Sequence, residues 1–173
     1  MAIMTLTLRD MTAADLPMVS RWLREAHVAR WWSDDPAEQL AEFDAAVTSD
    51  DPTHVLVVEE DGRPVGWSQW YRWADSPDEA PHYRATEDDL GMDYGIGALA
   101  DISRGVGTEL IARLVQQIRR DHPQAPILVA VSTLNTASRR VLEKNGFGLV
   151  VETMIESEPG HEPTALYRLV ARG

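Results

Sequence analysis

Apolar and polar positions alternate at the head of the chain, in Thr5-Leu6-Thr7-Leu8-Arg9-Asp10-Met11, which predicts a strand. The next stretch, Thr12 to Ala26, changes period. Leu16, Val19 and Leu23 recur at helical spacing behind Thr12, a natural N-cap. A second helix is predicted from Pro36 to Thr48, with proline in its first turn. Two apolar extended runs from His54 to Trp73 flank Asp61-Gly62 and predict a hairpin. A short strand, Gly91 to Ala98, precedes a glycine turn and a long helix whose apolar face is Leu110, Ile111, Leu114, Val115 and Ile118. A buried strand follows at Ala125 to Val131. The helix after it is capped by Asn135 and stopped by Asn145-Gly146, and a C-terminal hairpin is read in Phe147–Ile155 and Thr164–Val170. The order β-α-α-β-β-β-α-β-α-β-β describes an α/β chain with a mixed sheet flanked by helices.

The glycine turn, Ser103-Arg104-Gly105-Val106-Gly107-Thr108, has two readings. It is ordinary helix punctuation, or it aims the first backbone N–H groups of the helix at an anion, with Arg104 adding charge. It is not a Walker loop, lacking Gly-Lys-Ser/Thr, and it lacks the third glycine of a dinucleotide fingerprint.

Composition narrows the partners. With 173 residues, 44% of them hydrophobic, residues 1–173 are expected to form a single domain. No run approaches bilayer-spanning length and the N-terminus lacks a signal-like pattern, so a cytoplasmic protein without membrane contact is expected. Cysteine is absent. The histidines, His27, His54, His82, His122 and His161, lack ligand spacing, so no metal is assigned. A net charge of −12 argues against a nucleic-acid surface and for cationic partners. Asp75, Asp78, Glu79, Glu87, Asp88, Asp89 and Asp93 crowd one stretch with His82 and Tyr83. That stretch reads either as a solvated acidic loop or as an acidic lip for a polyamine.

Other residue types suggest chemistry. Asp93 is a candidate to orient an ammonium and accept its proton, the alternative being an edge aspartate facing solvent. Gly95 and Gly97, two and four residues on, leave space for a close approach or mark a bulge. Trp31 and Trp32 cannot both face one core, so one of them is a candidate to pack on a substrate ring. Trp67, Gln69 and Tyr71 share a strand face, where the amide and phenol could hydrogen-bond a sugar or simply be half-buried sheet residues. Arg139, Arg140 and Lys144 are ordinary helix charges, or one of them meets a phosphate. His27 reads as packing.

The strand running into "ALADISRGVGTEL", the helix "NTASRRVLEKNGF" and the β-α-α-β-β opening together resemble the GNAT superfamily of acyl-CoA-dependent N-acyltransferases, over nearly the whole chain. The segments "LRDMTAADLPMVSRWLREAHVARWW", "GWSQWY" and "GMDYGIG" are further similar to aminoglycoside 6'-N-acetyltransferases and related siderophore-type acyltransferases. The resemblance implies a GNAT fold and acetyl-CoA as donor. It implies cofactor contacts from Ile96, Gly97, Ala98, Ser103, Arg104, Gly105, Val106, Gly107, Thr108, Asn135, Ser138, Arg139 and Lys144. The backbone around Ile96 and Ala98 would receive the thioester oxygen, and Asp93 would be the catalytic carboxylate. The acceptor is then a cationic amine, most plausibly an aminoglycoside 6'-amine, met by Trp31, Trp32, Gln69, Tyr71, Tyr83, Glu87 and Asp88. A hydroxylysine-like amine and a CoA-binding sensor without turnover are the competing readings. A monomer or homodimer is expected. The chain departs from the family at Ile102, where Gln or Arg is usual, and at Ser103, where glycine is. It departs again at Leu142, where many members carry the tyrosine taken to protonate the leaving thiolate. Several aminoglycoside enzymes have an aspartate near Ala130.

Overall fold

The computed structural model describes residues 3–32, 35–155 and 163–171. Seven strands and five helices follow the anticipated order, with one short helix added: β1 (Leu6–Asp10), α1 (Leu16–Leu23), α2 (Ala26–Ala29), α3 (Pro36–Thr48), β2 (His54–Glu60), β3 (Arg63–Arg72), β4 (Leu90–Ile96), α4 (Val106–Asp121), β5 (Ile127–Ser132), α5 (Thr136–Lys144), β6 (Gly148–Thr153) and β7 (Thr164–Leu169). The strands form one sheet in the order β1-β2-β3-β4-β5-β7-β6. The β1/β2, β5/β7 and β6/β7 pairs are antiparallel, while β4 and β5 run parallel through Leu90 opposite Ile127 and Gly91 opposite Leu128.

The local chemistry of each element is visible. Thr12 and Asp15 open a short 3-10 turn ahead of α1, the Thr12 N–H donating to the Asp15 carboxylate at 2.9 Å. The helix anticipated as far as Ala26 stops at Leu23, because Glu25 adopts an extended backbone and restarts the chain as α2. Asp35 caps α3 through Oδ1, accepting from the N–H groups of Ala37 and Glu38. Asp61 and Gly62 turn the β2/β3 hairpin with φ of 50° and 80°, the left-handed pair that a tight two-residue turn needs. Asn135 caps α5 by accepting from Ser138 N–H at 3.2 Å, and Gly146 ends that helix at φ 85°.

The chain divides into two compact units, Met1–Gln69 with Tyr94–Leu114 and Trp70–Asp93 with Val115–Gly173. In the first, Met11, Val19, Leu23, Val28, Phe43, Val55, Val57 and Trp67 form one core, and Leu6, Val58, Val65, Val106 and Leu110 form another. In the second, Trp73, Ala80, Leu128 and Leu166 pack with Tyr71, Tyr83, Ala85, Ala130 and Val151. Leu110, Ile111, Leu114 and Ile118 of α4 are fully buried, so the 3.6-residue period read from sequence is the buried stripe. Each such leucine or isoleucine would cost about 2–5 kcal/mol to truncate to alanine. Among the described residues no helix is long and apolar enough to cross a membrane.

Candidate active site

β4 is the organising strand. Its odd-numbered positions, Gly91, Asp93 and Gly95, fall on one face by strand alternation, with Gly97 just past the strand's end, and of these four only Asp93 has a side chain beyond hydrogen. The reason is steric. A Cβ at Gly91 would lie 2.2 Å from the Tyr71 ring, one at Gly95 would lie 2.4 Å from the Trp67 indole, and one at Gly97 would lie 2.1 Å from the Trp22 indole. The bare positions therefore seat aromatic rings. At Gly95 and Gly97 the space that a side chain would take is filled by the protein's own indoles. The Gly97 N–H, moreover, is spent on the Val65 carbonyl at 2.9 Å. Trp22 and Trp67 stack at 5.9 Å between centroids, and Trp32 tilts against Trp67 at 5.1 Å.

In the second unit, the Tyr71 ring lies over Gly91 and its hydroxyl donates to Asp93. Burial first, then the negative charge of Asp93, pushes the Tyr71 phenol well above its ordinary range, so it stays protonated and a donor at neutral pH. Tyr83 and Glu79 add to that upward push, which puts them within electrostatic reach of Tyr71. Tyr71 and Tyr83 both pack on Trp73, with centroids 5.5 Å and 5.0 Å apart. A carboxylate, two phenols and an acidic surface residue thus gather near Trp73. Gln69 is half-buried.

The rest of the acidic stretch divides. Glu87 and Asp88 are exposed, as a lip requires, but Asp89 is internal: it accepts from Thr86 N–H and Oγ1 and from Arg168 Nη2 at 2.9 Å. One carboxylate of the expected lip is therefore structural.

In the first unit, Ser103 and Gly105 take left-handed φ values of 63° and 84°, and α4 begins at Val106. The first intrahelical bond leads back from Glu109 N–H to the Gly105 carbonyl, so the N–H groups ahead of it project from the positive end of a 16-residue helix. That arrangement fits an oxyanion, with the exposed Ser103, Arg104 and Gly105 at its mouth. Arg104 itself is engaged: Nη2 meets Glu60 at 2.8 Å and Nη1 meets Asp101 at 2.6 Å, while Arg63 shares both carboxylates. These arginines hold Asp101 and Glu60 below the usual carboxylate range, and the network fixes the turn. Glu60 and Asp101 thus balance the charge that Arg104 brings to the turn.

His27 and Trp32 approach β4 from the first unit. His27 Nε2 lies 3.0 Å from the Ile96 carbonyl, a donor geometry, and Trp32 Nε1 donates to the Tyr94 carbonyl at 3.2 Å. His27 reads from sequence as packing and Trp22 is not singled out there; for Trp22 the bare glycine positions were the available signal, since they demand large partners, whereas His27 has none. Trp32 packs on Trp67 and Phe43, whereas Trp31 is half-buried with the Arg30 guanidinium 4.5 Å above its ring, so of the pair Trp31 is the better placed for a ligand. Ala98 caps a short 3-10 turn at Leu99–Asp101, and Ile102 ends it.

On α5, Asn135 is committed as the cap and Arg139 bonds the Tyr167 hydroxyl, the Thr133 carbonyl and Glu152. Ser138 is half-buried, while Lys144 is exposed in the last turn. Leu142 is fully buried, so this position faces the core and offers no acid. Ala130 packs in the apolar cluster with Tyr71 and Tyr83. Among the described residues no group of three or more His, Cys, Asp or Glu could hold a metal; His161 lies outside them.

Comparison with known proteins agrees with this architecture. The acetyltransferase (GNAT) domain family matches residues 11–155. Aminoglycoside N(6')-acetyltransferase type 1 of Klebsiella pneumoniae is 26% identical over 148 residues, 83% of this chain and 74% of that protein. N-hydroxyputrescine acetyltransferase of Acinetobacter baumannii is 33% identical over 78 residues, 44% of this chain and 37% of that one. The crystal structure of aminoglycoside acetyltransferase AAC(6')-Ib with coenzyme A and kanamycin superposes with a TM-score of 0.80 at 24% identity, covering 96% of this chain and 95% of the other. The aminoglycoside N(6')-acetyltransferase of Legionella pneumophila gives a TM-score of 0.78 at 16% identity, covering 98% and 94%.

Proposed function

The chain belongs to the acetyltransferase (GNAT) domain family, and from that premise we propose that it transfers the acetyl group of acetyl-CoA to a primary amine of a cationic small molecule, an aminoglycoside 6'-amine. The observation that carries this reading is the lone carboxylate of Asp93 on the glycine face of β4, held by the Tyr71 hydroxyl. Relatives named as aminoglycoside N(6')-acetyltransferases over most of the chain support the acceptor class.

Acetyl-CoA supplies an activated acyl thioester, and the first-turn N–H groups of α4 are suited to its pyrophosphate. An aliphatic amine arrives protonated at neutral pH, since its pKa lies near that of lysine, about 10.4. Asp93 draws it in by charge, orients it through hydrogen bonds, and accepts the proton that must leave before nitrogen can attack, directly or through water. Tyr71 donates to the carboxylate and thereby orients it toward the ammonium. The exposed Glu87 and Asp88 add negative potential that raises the local concentration of a polycation. No covalent enzyme intermediate is required. Such an enzyme works in the cytoplasm with its acyl donor, as a monomer or homodimer.

A second reading, a hydroxylated polyamine as acceptor, is favoured by the N-hydroxyputrescine acetyltransferase similarity, which covers 44% of the chain. Free-thiol release from acetyl-CoA, measured with kanamycin, a kanamycin analogue bearing hydroxyl in place of the 6'-amine, and N-hydroxyputrescine, distinguishes them. Turnover with kanamycin and none with the analogue is the expected result; turnover with N-hydroxyputrescine alone would replace the first acceptor by the second.

A further inference from the structure

Within the second unit, the C-terminal end of α4, the turn closing α5 and the end of β7 border an open surface cavity of about 680 Å³, lined by Arg119, Pro123, Asn145, Gly146, Arg168 and Val170 among others. None of its lining residues belongs to the glycine turn or to β4. Of its two arginines, Arg119 differs from the arginines of the ion pairs. Arg9, Arg63, Arg104 and Arg139 each meet carboxylates. Arg119 meets none: Nη1 donates to the carbonyls of His122 and Ala125, and Nη2 is buried without an acceptor. Partial burial pulls its pKa below the ordinary arginine value, and no carboxylate among the described residues offsets that. Arg168 places Nη2 on Asp89 at 2.9 Å, yet its Nε is also buried without an acceptor.

Arg119 and Arg168 both line this one cavity, and each keeps a guanidinium nitrogen without an acceptor among the described residues. Guanidinium is matched best by an oxyanion, which takes paired N–H bonds and returns the charge that burial stripped of solvent. The volume falls in the range of small-molecule sites, about 300–1,000 Å³, and Pro123, Leu169 and Val170 offer apolar wall to an organic body. We propose that this cavity binds a small oxyanion-bearing molecule, a phosphate ester or a carboxylate, between Arg119 and Arg168.

The test must separate this cavity from the turn at α4, which also suits phosphate. Amide NMR does so, because Gly146 and Gly148 report on the cavity and Gly105 and Gly107 on the turn. Inorganic phosphate and acetate are titrated separately at constant ionic strength with chloride. Saturable shifts at Gly146 and Gly148 are expected, under phosphate alone for a phosphate site and under both anions for a carboxylate-tolerant one. Val170→Asp, at a position 63% exposed, brings negative charge to the cavity rim without touching either arginine's bonds. It should weaken the apparent Kd at these glycines at least tenfold while Gly105 and Gly107 respond as before. Arg119→Gln should act likewise, its Tm checked for loss of the bonds to His122 and Ala125. Absence of saturable shifts at Gly146 and Gly148 with both anions, or an unchanged Kd in Val170→Asp, overturns the proposal.

Discussion

Replacing Tyr71 by phenylalanine removes one oxygen and leaves the ring over Gly91 and against Trp73. What is lost is a donor to a carboxylate, a class of hydrogen bond worth about 1.5–3 kcal/mol. Asp93 is only half-buried, so water replaces part of that bond and the lower end of the range applies. At about 1.4 kcal/mol per decade of rate, kcat/KM for the amine should fall roughly tenfold. CoA affinity should hold, because no Tyr71 contact involves the turn at α4. Tm should change little, since the packing is kept. Asp93→Asn should cost about 10²-fold or more, because it removes charge and basicity together while preserving size.

The two substitutions form a double-mutant cycle read by thiol release. If Tyr71 acts by positioning Asp93, adding Tyr71→Phe to Asp93→Asn should cost less than about twofold, although alone it costs about tenfold. Fully additive losses would mean that Tyr71 contacts the substrate on its own account. A Tyr71→Phe enzyme within twofold of wild type would show that the bond does not position the carboxylate, and the reasoning built on it would fail.

Gly107→Asp puts a carboxylate in the first turn of α4, where the N–H groups and helix dipole favour an anion; CoA binding by calorimetry should weaken at least tenfold, and an unchanged affinity would remove the turn from the cofactor site. Asp15, held by Arg9, has its pKa lowered to about 2 from 3.8, so the pair stabilises the fold fully above about pH 4 and the contribution disappears as pH falls through 2. Arg9 is 39% exposed, so the stabilisation is discounted to about 1 kcal/mol; Arg9→Met should lower urea stability by about that much at pH 7 and by nearly nothing at pH 2, and equal losses at both would contradict the pairing. Gly95→Ala forces a methyl to 2.4 Å from the Trp67 indole and should cost about 1–3 kcal/mol of stability by overpacking, checked by thermal denaturation; a neutral result would mean that the ring is not fixed over the strand.

Much of this fold announces itself through period. The α4 stripe, the Asp61-Gly62 hairpin and the Asn135 cap are local devices whose physics lies within a few residues, and sequence reads them directly. Partners distant along the chain are harder. Arg104 looked like a free cation because nothing nearby in sequence requires Glu60, 44 positions earlier, to reach it. Asp89 looked like one more solvated acid until Arg168, 79 positions later, came to meet it. His27 carries no neighbouring motif, and its contact with the Ile96 carbonyl depends on the chain breaking at Glu25 to start α2. The glycines show the same limit: an empty strand position tells that something large is opposite, but not whether it is a ligand or the protein's own indole.

β4 shows why that ambiguity sits beside the candidate site. Glycine weakens a strand, both through backbone entropy and through missing packing, so three on one face is a poor way to build a sheet for its own sake. The rings of Tyr71, Trp67 and Trp22 restore the packing, and each sits so close that alanine would collide with it. Within the second unit, Tyr71 is seated over Gly91 and donates to Asp93; within the first, Trp67 is seated over Gly95. Under the proposed function, this half-buried carboxylate serves to bind a group that arrives from solvent. An ammonium meets that need better than a neutral group, because the charge-assisted bond is roughly twice as strong as a neutral one. The glycines follow from the same requirement, since any β-branched residue in their place would displace the phenol that orients the carboxylate or the indoles that wall its strand.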